Sequence, residues 1–419
     1  MKKAKSYVTL VFVFICINTY SQWQEQNSGV AVNLWDVCFV DSLEGWAIGD
    51  SSVVIRTTNG GNTWNLIRLN FPTNSDSKMR FVDTLNGFIL SKGKLYSSSD
   101  GGNNWIQLDT IKSLGINDFC FMNESTGWIT LSDSWFAPKI TAIAKTNNKG
   151  KTWNVVYRDT IQYVLPFEAI DFLNGNFGLA SRTSHQDNSE TKFYRTENGG
   201  LSWEYVGNYR SSIYDLRILD SSKIIAGGSG LVTSIDKGVN WVISNDFLYY
   251  LKDFSYANRE NVWFIYVSPS GEYQIFYTNP TLTFTKIAVP PGIIANALDN
   301  FLTKYCWVVG NNGKVFLYKD GITKVETELE RTKGFKISQN YPNPFNPTTV
   351  IGYQLSVTGH VTLRVLDMLG REIATLVNEN KSAGYYNVNF DASKLTSGVY
   401  IYTINVNGFA QSKKMLLVK

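Results

Sequence analysis

The chain has few of the residues on which metal sites and redox chemistry depend. Its 419 residues include two histidines and four cysteines, and neither a Cys-x-x-Cys nor a His-Glu-x-x-His motif occurs. Because zinc is held by closely spaced Cys and His ligands, we expect no metal site. Nothing in the sequence indicates an organic cofactor either.

The cysteines do not form a disulfide framework. One of the four lies in the N-terminal leader discussed below, and the other three, Cys38, Cys120 and Cys306, lie in apolar runs. An odd number of cysteines in such runs indicates small buried side chains, so no structural disulfide is expected.

Charge of one sign is also scarce. The net charge is +4 at pH 7, and no run of Lys and Arg occurs after the first five residues. A nucleic-acid-binding surface normally needs a concentrated basic patch, so the sequence predicts no nucleic-acid partner.

Long hydrophobic runs are absent apart from one at the N-terminus. Lys2, Lys3 and Lys5 precede the apolar run 8–17, and small residues follow it at positions 19 and 21. This order is typical of a cleaved secretory signal, and the run is shorter than the ~18 apolar residues of a membrane span. We therefore predict a signal peptide at residues 1–21 and no transmembrane segment after its cleavage.

A short polar turn followed by a large aromatic residue recurs along most of the chain. The copies read TTNGGNTW (57–64), SSDGGNNW (98–105), TNNKGKTW (146–153), TENGGLSW (196–203) and SIDKGVNW (234–241), with a weaker copy TNPTLTF (278–284). The final aromatics lie 38–50 residues apart. A period of this length is typical of the blades of a β-propeller.

Each repeat also contains four short apolar segments that alternate with turns. The last repeat, which begins near residue 297, supplies three strands, whereas residues 23–26 form an isolated strand just after the predicted signal. Pairing that strand with the last blade would close the ring and remove exposed sheet edges. The sequence thus predicts an all-β protein with a seven-bladed propeller over residues 22–318.

The repeated turn resembles the Asp-box, also called the bacterial neuraminidase repeat. With the companion Gly45-Trp46-x-x-Gly49 strand, it makes residues 22–318 similar to propellers of the photosystem II stability and assembly factor family. Asp and Asn side chains commonly accept hydrogen bonds within their own turns, and Trp covers apolar surface. A structural role is therefore expected for the box residues Asn59, Trp64, Asp100, Trp105, Asn148, Trp153, Asn198, Trp203, Asp236 and Trp241.

The C-terminal part has different motifs. Residues 335–419 follow a charged linker at 319–334 and resemble the type A sorting domain of type IX secretion, which implies an Ig-like β-sandwich. The resemblance implies that the outer-membrane translocon reads this domain, so that the protein passes through the periplasm and is secreted or reaches the outer cell surface. It is carried by motifs that include Pro342, Asn343, Pro344, Gly370, Arg371, Lys413 and Lys414.

Catalytic residues are hard to find in the predicted propeller. Sialidases contain Asp-boxes but usually also an Arg-Ile-Pro segment, which is absent here. Ser184, His185 and Asp187 are the residue types of a serine hydrolase, but neighbours within one loop seldom form a triad. We therefore do not expect an enzyme.

Two groups of residues are candidates for binding. The loops opposite the Asp-boxes are rich in aromatics and cations, a composition suited to protein or glycan contacts or, alternatively, to loop packing. They carry Trp135, Phe136, Arg158, Tyr163, Tyr209, Arg210, Tyr249 and Tyr250.

Alignment of the inner strands gives the second group, with charges where buried strands should be apolar. One column holds Asp36, Lys78, Asp118, Asp215 and Asp253, and another holds Arg80, Asp171 and Arg217. They are expected to ring the central channel, either as mutually satisfied charges or as a ligand-binding funnel.

These observations predict a secreted or cell-surface propeller that acts as a non-catalytic protein-binding or assembly module and is exported by type IX secretion. Its ligand would be an unknown envelope protein or a glycan. The alternative is a glycan-directed protein, either a lectin or a sialidase-like glycosidase.

Overall fold

The computed structural model of the chain has an all-β fold. The described residues are 23–419 without 109–113, 135–139, 161–165, 184–189, 245–246, 248, 257–261, 279–283, 302–304, 320–334, 356–357, 368–370, 383 and 407–408. The predicted signal peptide therefore lies outside the described residues, as does all but one residue of the predicted linker.

Seven four-stranded antiparallel sheets follow one another along the chain as the blades of a propeller. The chain begins with β1 (Trp23–Gln26), which belongs to the last blade. Blades 1 to 3 contain β2 (Leu34–Phe39), β3 (Gly45–Gly49), β4 (Val53–Thr57), β5 (Asn65–Arg68); β6 (Lys78–Phe81), β7 (Gly87–Ser91), β8 (Lys94–Ser98), β9 (Ile106–Gln107); β10 (Gly115–Phe121), β11 (Gly127–Ser132), β12 (Thr141–Thr146) and β13 (Asn154–Asp159).

The remaining blades repeat this order. Blades 4 to 6 contain β14 (Phe167–Phe172), β15 (Gly178–Thr183), β16 (Thr191–Thr196), β17 (Glu204–Tyr209); β18 (Ile213–Ile218), β19 (Ile224–Gly228), β20 (Gly230–Ser234), β21 (Val242–Ile243); β22 (Tyr250–Tyr256), β23 (Val262–Val267), β24 (Tyr273–Thr278) and β25 (Phe284–Ile287). Blade 7 contains β26 (Ala295–Phe301), β27 (Tyr305–Gly310) and β28 (Val315–Lys319), with a single 3-10 turn at Asn311–Gly313 before β28.

The N-terminal strand closes the ring. β1 pairs antiparallel with β28, in the register Trp23 to Tyr318 and Gln26 to Val315. The Trp23 indole is buried and its Nε1 donates to the backbone oxygen of Ala288. At the other end of the strand, Gln26 Nε2 donates to the Gly60 oxygen at 2.8 Å, which ties blade 7 to the first Asp-box turn.

Each well-formed Asp-box is a self-contained hydrogen-bonded turn. In blade 2, Asp100 Oδ1 accepts the Asn104 N–H at 2.9 Å and the Ser98 hydroxyl at 2.9 Å. Gly102 has φ +87°, a conformation that a residue with a Cβ rarely adopts, and its oxygen accepts the Trp105 indole N–H at 2.8 Å. The same carboxylate or amide contacts recur at Asn59, Asn148, Asn198 and Asp236.

The second-strand tryptophans join neighbouring blades and explain why the box repeats with the Gly-Trp strand. Trp46 of blade 1 stacks on Phe81 of blade 2 at 3.6 Å, and its indole N–H donates to the box residue Gly101. Trp128 of blade 3 makes the same contacts with Phe172 and Gly199 of blade 4. The indoles of Trp46 and Trp128 therefore both find a hydrogen-bond partner in the following blade.

The C-terminal segment forms two sheets around a core of its own, a β-sandwich as predicted. Ile351, Leu363 and Tyr402 are among its fully buried residues. The sheets are β29-β30-β33 and β32-β31-β34-β35, with bounds β29 (Phe335–Ile337), β30 (Thr348–Leu355), β31 (Gly359–Leu366), β32 (Glu372–Lys381), β33 (Gly384–Asp391), β34 (Gly398–Val406) and β35 (Phe409–Leu417). Among the described residues, no helix has the length and apolarity needed to cross a membrane.

Candidate functional site

The inner strands of the propeller are joined around the channel by side chains that bind the backbone of the next blade. Asp36 Oδ2 accepts the Met79 N–H at 2.6 Å, and Asp118 Oδ2 accepts the Ile170 N–H at 3.0 Å. Hydrogen bonds between a carboxylate and a backbone N–H are charge-assisted and comparatively strong. The first column of charges thus contains acceptors that connect one blade to the next.

A second tier of contacts lies two residues further along each inner strand. Asp171 Oδ2 accepts the Ile218 N–H at 2.8 Å, and Asp299 Oδ2 accepts the Phe39 N–H at 2.6 Å, which joins blade 7 to blade 1. Ser255 Oγ has the same position in blade 6 and accepts the Asn300 N–H at 3.2 Å. The sequence analysis found Asp171 but missed Asp299 and Ser255, which alignment of the last two inner strands would have placed in the same column.

The cations of the two columns are paired within the channel. Lys78 Nζ lies 2.7 Å from Asp118 Oδ1, and Arg80 lies 3.4 Å from Asp36 Oδ2. Arg217 pairs with Asp215. Pairing between channel residues therefore accounts for part of the charge. This is the first of the two alternatives that the sequence left open, mutually satisfied charges.

Irregular residues in the inner strands build the mouth of this channel. The register of six inner strands shifts by one residue at equivalent positions, which leaves one bulged residue per strand. Bulges commonly re-aim side chains beside functional sites. The bulged residues are Trp35, Asn117, Glu168, Tyr214, Lys252 and Asn296.

The bulged residues have two different roles. Asn117 Nδ2 donates to the Phe167 oxygen and Asn296 Nδ2 to the Leu34 oxygen, so both tie a blade to its successor. Trp35, Tyr214 and Lys252 line a cavity of about 580 Å³ together with the charged columns, and Asn296 contributes to this lining as well. The bulges thus direct aromatic and cationic side chains into an open cavity.

Contacts at the mouth hold several of these side chains in place. Trp35 Nε1 donates to Asp50 Oδ1 at 2.7 Å. Lys252 Nζ donates to Asn296 Oδ1 at 2.8 Å and lies 5.0 Å from the centre of the Tyr273 ring. Tyr214 and Tyr250 are 38% and 42% exposed.

The cavity contains more carboxyl groups than cations, seven aspartates against four Lys and Arg residues. Burial and the neighbouring Asp36 carboxylate raise the pKa of Asp253 to about 8. Burial likewise raises the pKa of Asp299 to about 6 and raises the pKa of Asp215. The surroundings of these carboxyl groups, which belong to blades 5 to 7, therefore disfavour the ionised form.

The structure brings together the predicted channel residues and only part of the predicted rim. All eight members of the two columns line the cavity, and so does Tyr250. Tyr249 is exposed, but neither it nor Arg158, Tyr209 or Arg210 lines the cavity. Trp135, Phe136, Tyr163 and the Ser184, His185 and Asp187 group lie outside the described residues. Trp35, Tyr214 and Lys252 were missed, because a bulge does not show in the alternation of a strand.

Neither a metal site nor a disulfide is apparent in the described parts of the chain. No group of three or more His, Cys, Asp and Glu side chains there is arranged to hold a metal ion. Cys38, Cys120 and Cys306 form no disulfide; Cys38 and Cys306 are buried and Cys120 is partly buried.

The motif residues at the start of the C-terminal sandwich bind its last strand. The Asn343 side chain accepts the Leu416 N–H at 2.8 Å, and the Phe345 N–H donates to the Leu416 oxygen at 2.9 Å. These contacts cover the free edge of β35, which would otherwise be open to pairing with other chains. Arg371 pairs with Asp367 at 2.6 Å, Lys414 is exposed and Lys413 is partly exposed, whereas Gly370 lies outside the described residues. Pro342 and Pro344 each follow a cis peptide bond.

These features define a propeller protein with a C-terminal sorting sandwich. Residues 15–208 match the family model described as photosynthesis system II assembly factor YCF48, and residues 339–419 match that of the secretion system C-terminal sorting domain. The chain is therefore a secreted or surface protein whose propeller resembles the YCF48 assembly factors.

Individual relatives agree with this resemblance over part of their length. The photosystem II assembly lipoprotein Ycf48 of Synechococcus sp. (strain CC9902) is 27% identical over 142 residues, which cover 33% of this chain and 41% of the relative. That of Parasynechococcus marenigrum (strain WH8102) is 33% identical over 63 residues, or 15% of this chain and 19% of the relative. The chain thus matches less than half of the length of these relatives.

Solved structures share the propeller fold. YCF48 bound to a D1 peptide has a TM-score of 0.52 and 17% identity, and the match covers 72% of this chain and 97% of that one. YCF48 from Cyanidioschyzon merolae has a TM-score of 0.53 and 16% identity over 72% of this chain and 99% of that one. A virginiamycin B lyase from Staphylococcus aureus has a TM-score of 0.52 and 10% identity over 70% and 98%. The fold is therefore shared by assembly factors and by an enzyme.

The raised pKa of Asp253 makes a testable prediction about stability. A carboxyl whose pKa is raised in the folded state stabilises the fold while protonated, and that stability is lost as the pH rises from about 4 towards 8. Asp253→Asn cannot ionise but can still accept the Leu298 N–H. Its melting temperature should come closest to the wild type near pH 3.5, below the ordinary pKa of an aspartate, and exceed it at pH 9, by about 2–4 °C for each kcal/mol of relieved charge burial. The matched control is Asp76→Asn at the exposed rim, which should show no such pH-dependent gain. An equal shift at both pH values for Asp253→Asn would contradict the prediction.

Proposed function

We propose that this protein is a non-catalytic binding module that holds a segment of a cell-envelope protein at the channel mouth. The observation that carries the proposal is the ring of bulges, which directs Trp35, Tyr214 and Lys252 into a cavity of about 580 Å³. Exposed aromatic rings beside cations are the composition of protein-binding surfaces. A cavity of this volume can take side chains of a bound segment, and paired charges line its wall.

The comparisons support a binding role. The relatives with sequence similarity are assembly factors, and one solved structure with the same fold is that of a YCF48 bound to a D1 peptide. We extend peptide binding to this chain as a proposal that rests on its own cavity. No feature of the sequence indicates photosynthesis, so the partner is expected to differ.

The alternative is a glycan ligand, with or without hydrolysis. The exposed Tyr214 and Tyr250 rings could stack on a sugar, and Asp215 and Asp253 lie in the same cavity. The channel carboxyls reach the backbone or side chains of the protein itself, however, and this favours a structural role for most of them.

Site-specific photo-crosslinking tests this function. Benzoylphenylalanine is placed at Tyr214 or Tyr250 in the full-length protein, expressed in a host with type IX secretion. The control position is Tyr205, which is 51% exposed on β17, the outermost strand of blade 4. We expect one envelope protein to be crosslinked from Tyr214 and Tyr250 but not from Tyr205, and the adduct to disappear in a Trp35→Ala background.

Two results would contradict the proposal. Equal crosslinking from Tyr205 would mean that the contact does not involve the mouth. Absence of a protein adduct, together with glycan-array binding or glycosidase turnover that Tyr250→Ala abolishes, would establish the glycan alternative.

We further propose that residues 335–419 act as a separable address, and that the propeller over residues 22–318 folds without them. The strand pairing that closes blade 7 involves β1 and β26–β28, all within residues 23–319, which supports this division. Partner recognition by the type IX translocon would then depend on the sandwich alone.

Deletion of residues 335–419 should leave a folded propeller in the periplasm, as measured by cell fractionation and protease resistance. The control is a fusion of the same segment to an unrelated signal-bearing protein, which should carry that protein outside the cell. If the deletion variant reached the surface in normal amount, the segment would not be the address.

A further inference from the structure

Some backbone N–H groups on the channel wall form no hydrogen bond to the preceding blade. We use the word clamp for the hydrogen bonds in which a side chain of one blade binds the inner strand of the next. At most junctions a side chain of one blade accepts an N–H from the inner strand of the next, as with Asp36 and Met79. At two junctions, among the described residues, no side chain of the preceding blade accepts these N–H groups: those of Phe119 and Phe121 after blade 2, and that of Phe254 after blade 5. Phe119 and Phe121 belong to one strand and are two residues apart, so both donors point to the same side.

At the junction between blades 2 and 3 the missing acceptors have a simple cause in the sequence. In blade 2 the two clamp positions hold Lys78 and Arg80, and Lys and Arg side chains have donors but no acceptor. Arg80 turns back over its own strand, where its guanidinium donates to the Met79 oxygen at 2.8 Å. The N–H groups of Phe119 and Phe121 therefore face the channel beside two cations.

Both cations keep donors free for a further partner. Lys78 has three N–H donors and uses one on Asp118, while Arg80 has five and lies at 3.4 Å from its carboxylate, near the limit of a hydrogen bond. Each side chain is 39% exposed within the cavity. The junction thus combines unused backbone donors with accessible positive charge.

We propose that the junction between blades 2 and 3 binds a carboxylate group of the partner segment. The inference rests on the proposed peptide-binding function. The ring itself supplies the precedent, since the corresponding N–H groups of Ile170 and Ile218 are bound by carboxylates of Asp118 and Asp171. A carboxylate from outside would complete the clamp where the chain has placed Lys78 and Arg80 instead.

The other junction is not suited to the same ligand. After blade 5 the cation Arg217 is paired with Asp215. The raised pKa of Asp253, which results from its burial and from the nearby Asp36 and Asp215 carboxyls, indicates an environment that opposes added negative charge. The carboxylate site is therefore assigned to blades 2 and 3 alone.

Nuclear magnetic resonance can read this site directly. The full chain is labelled with ¹⁵N-phenylalanine and titrated with sodium acetate, with sodium chloride at equal ionic strength as the control. The amide protons of Phe119 and Phe121 should move downfield with acetate only, because a hydrogen bond to a carboxylate deshields them. The amides of Phe39 and Phe81 already have acceptors and should not move.

A variant removes the charge without supplying an acceptor. Lys78→Met should weaken acetate binding at Phe119 at least tenfold, whereas Lys94→Met, an exposed lysine on β8, should leave it unchanged. A dispersed spectrum establishes that Lys78→Met is folded, and Arg80→Met serves as the second variant if it is not. Equal shifts with chloride, or unchanged binding in the folded variant, would overturn the proposal.

The source of the carboxylate is distinguished with acetylated penta-alanine peptides. One has a free C-terminus, one is its amide, and one is an amide with a central glutamate. Tighter binding of the free acid assigns the site to a chain terminus, and tighter binding of the glutamate peptide assigns it to a side chain. Equal shifts with all three peptides would overturn the inference.

The outcome also separates this inference from the proposed function. If Tyr214 and Tyr250 crosslink an envelope protein but Lys78→Met has no effect, the carboxylate site is wrong and peptide binding stands. If acetate shifts Phe119 and Phe121 but no protein is crosslinked, the site is correct and the peptide-binding function fails.

Discussion

The propeller depends on one recurring interaction, the hydrogen bond from an inner-strand N–H to a side chain of the preceding blade. An inner strand has a free edge towards the channel, and buried backbone donors without partners are costly. Carboxylates such as Asp36 and Asp299 satisfy these donors and join blade to blade, including blade 7 to blade 1. The tryptophans of the second strands join the blades further out, where Trp46 and Trp128 reach the box of the next blade.

The same framework positions the candidate site. Six bulges interrupt the inner strands at equivalent places. The bulged Asn117 and Asn296 bind a backbone oxygen of the next blade, and the bulged Trp35 and Tyr214 line the cavity. Where cations replace the clamping acceptors, donors remain free on the channel wall. Binding capacity therefore arises from local departures from the repeat, while the repeat itself provides rigidity.

Much of this organisation could be predicted from the sequence. The Asp-box period gave seven blades, the isolated strand at Trp23 gave the ring closure, and alignment of the inner strands gave the eight charged channel residues. The bulges could not be predicted, because one extra residue in a strand changes neither composition nor period. Loop composition likewise places Tyr209 and Tyr250 near one face but does not show which of them borders the channel, where the structure has Tyr250.

Hydrogen exchange of the inner-strand amides tests the central claim most directly. The amides of Met79, Ile170, Ile218 and Leu298 donate to aspartate side chains, whereas those of Phe119, Phe121 and Phe254 occupy equivalent positions without such an acceptor. Residue-resolved exchange in the native protein should show the first group at least tenfold more protected than the second. Equal protection in the two groups would contradict the account, because the carboxylates would then not hold the blades together.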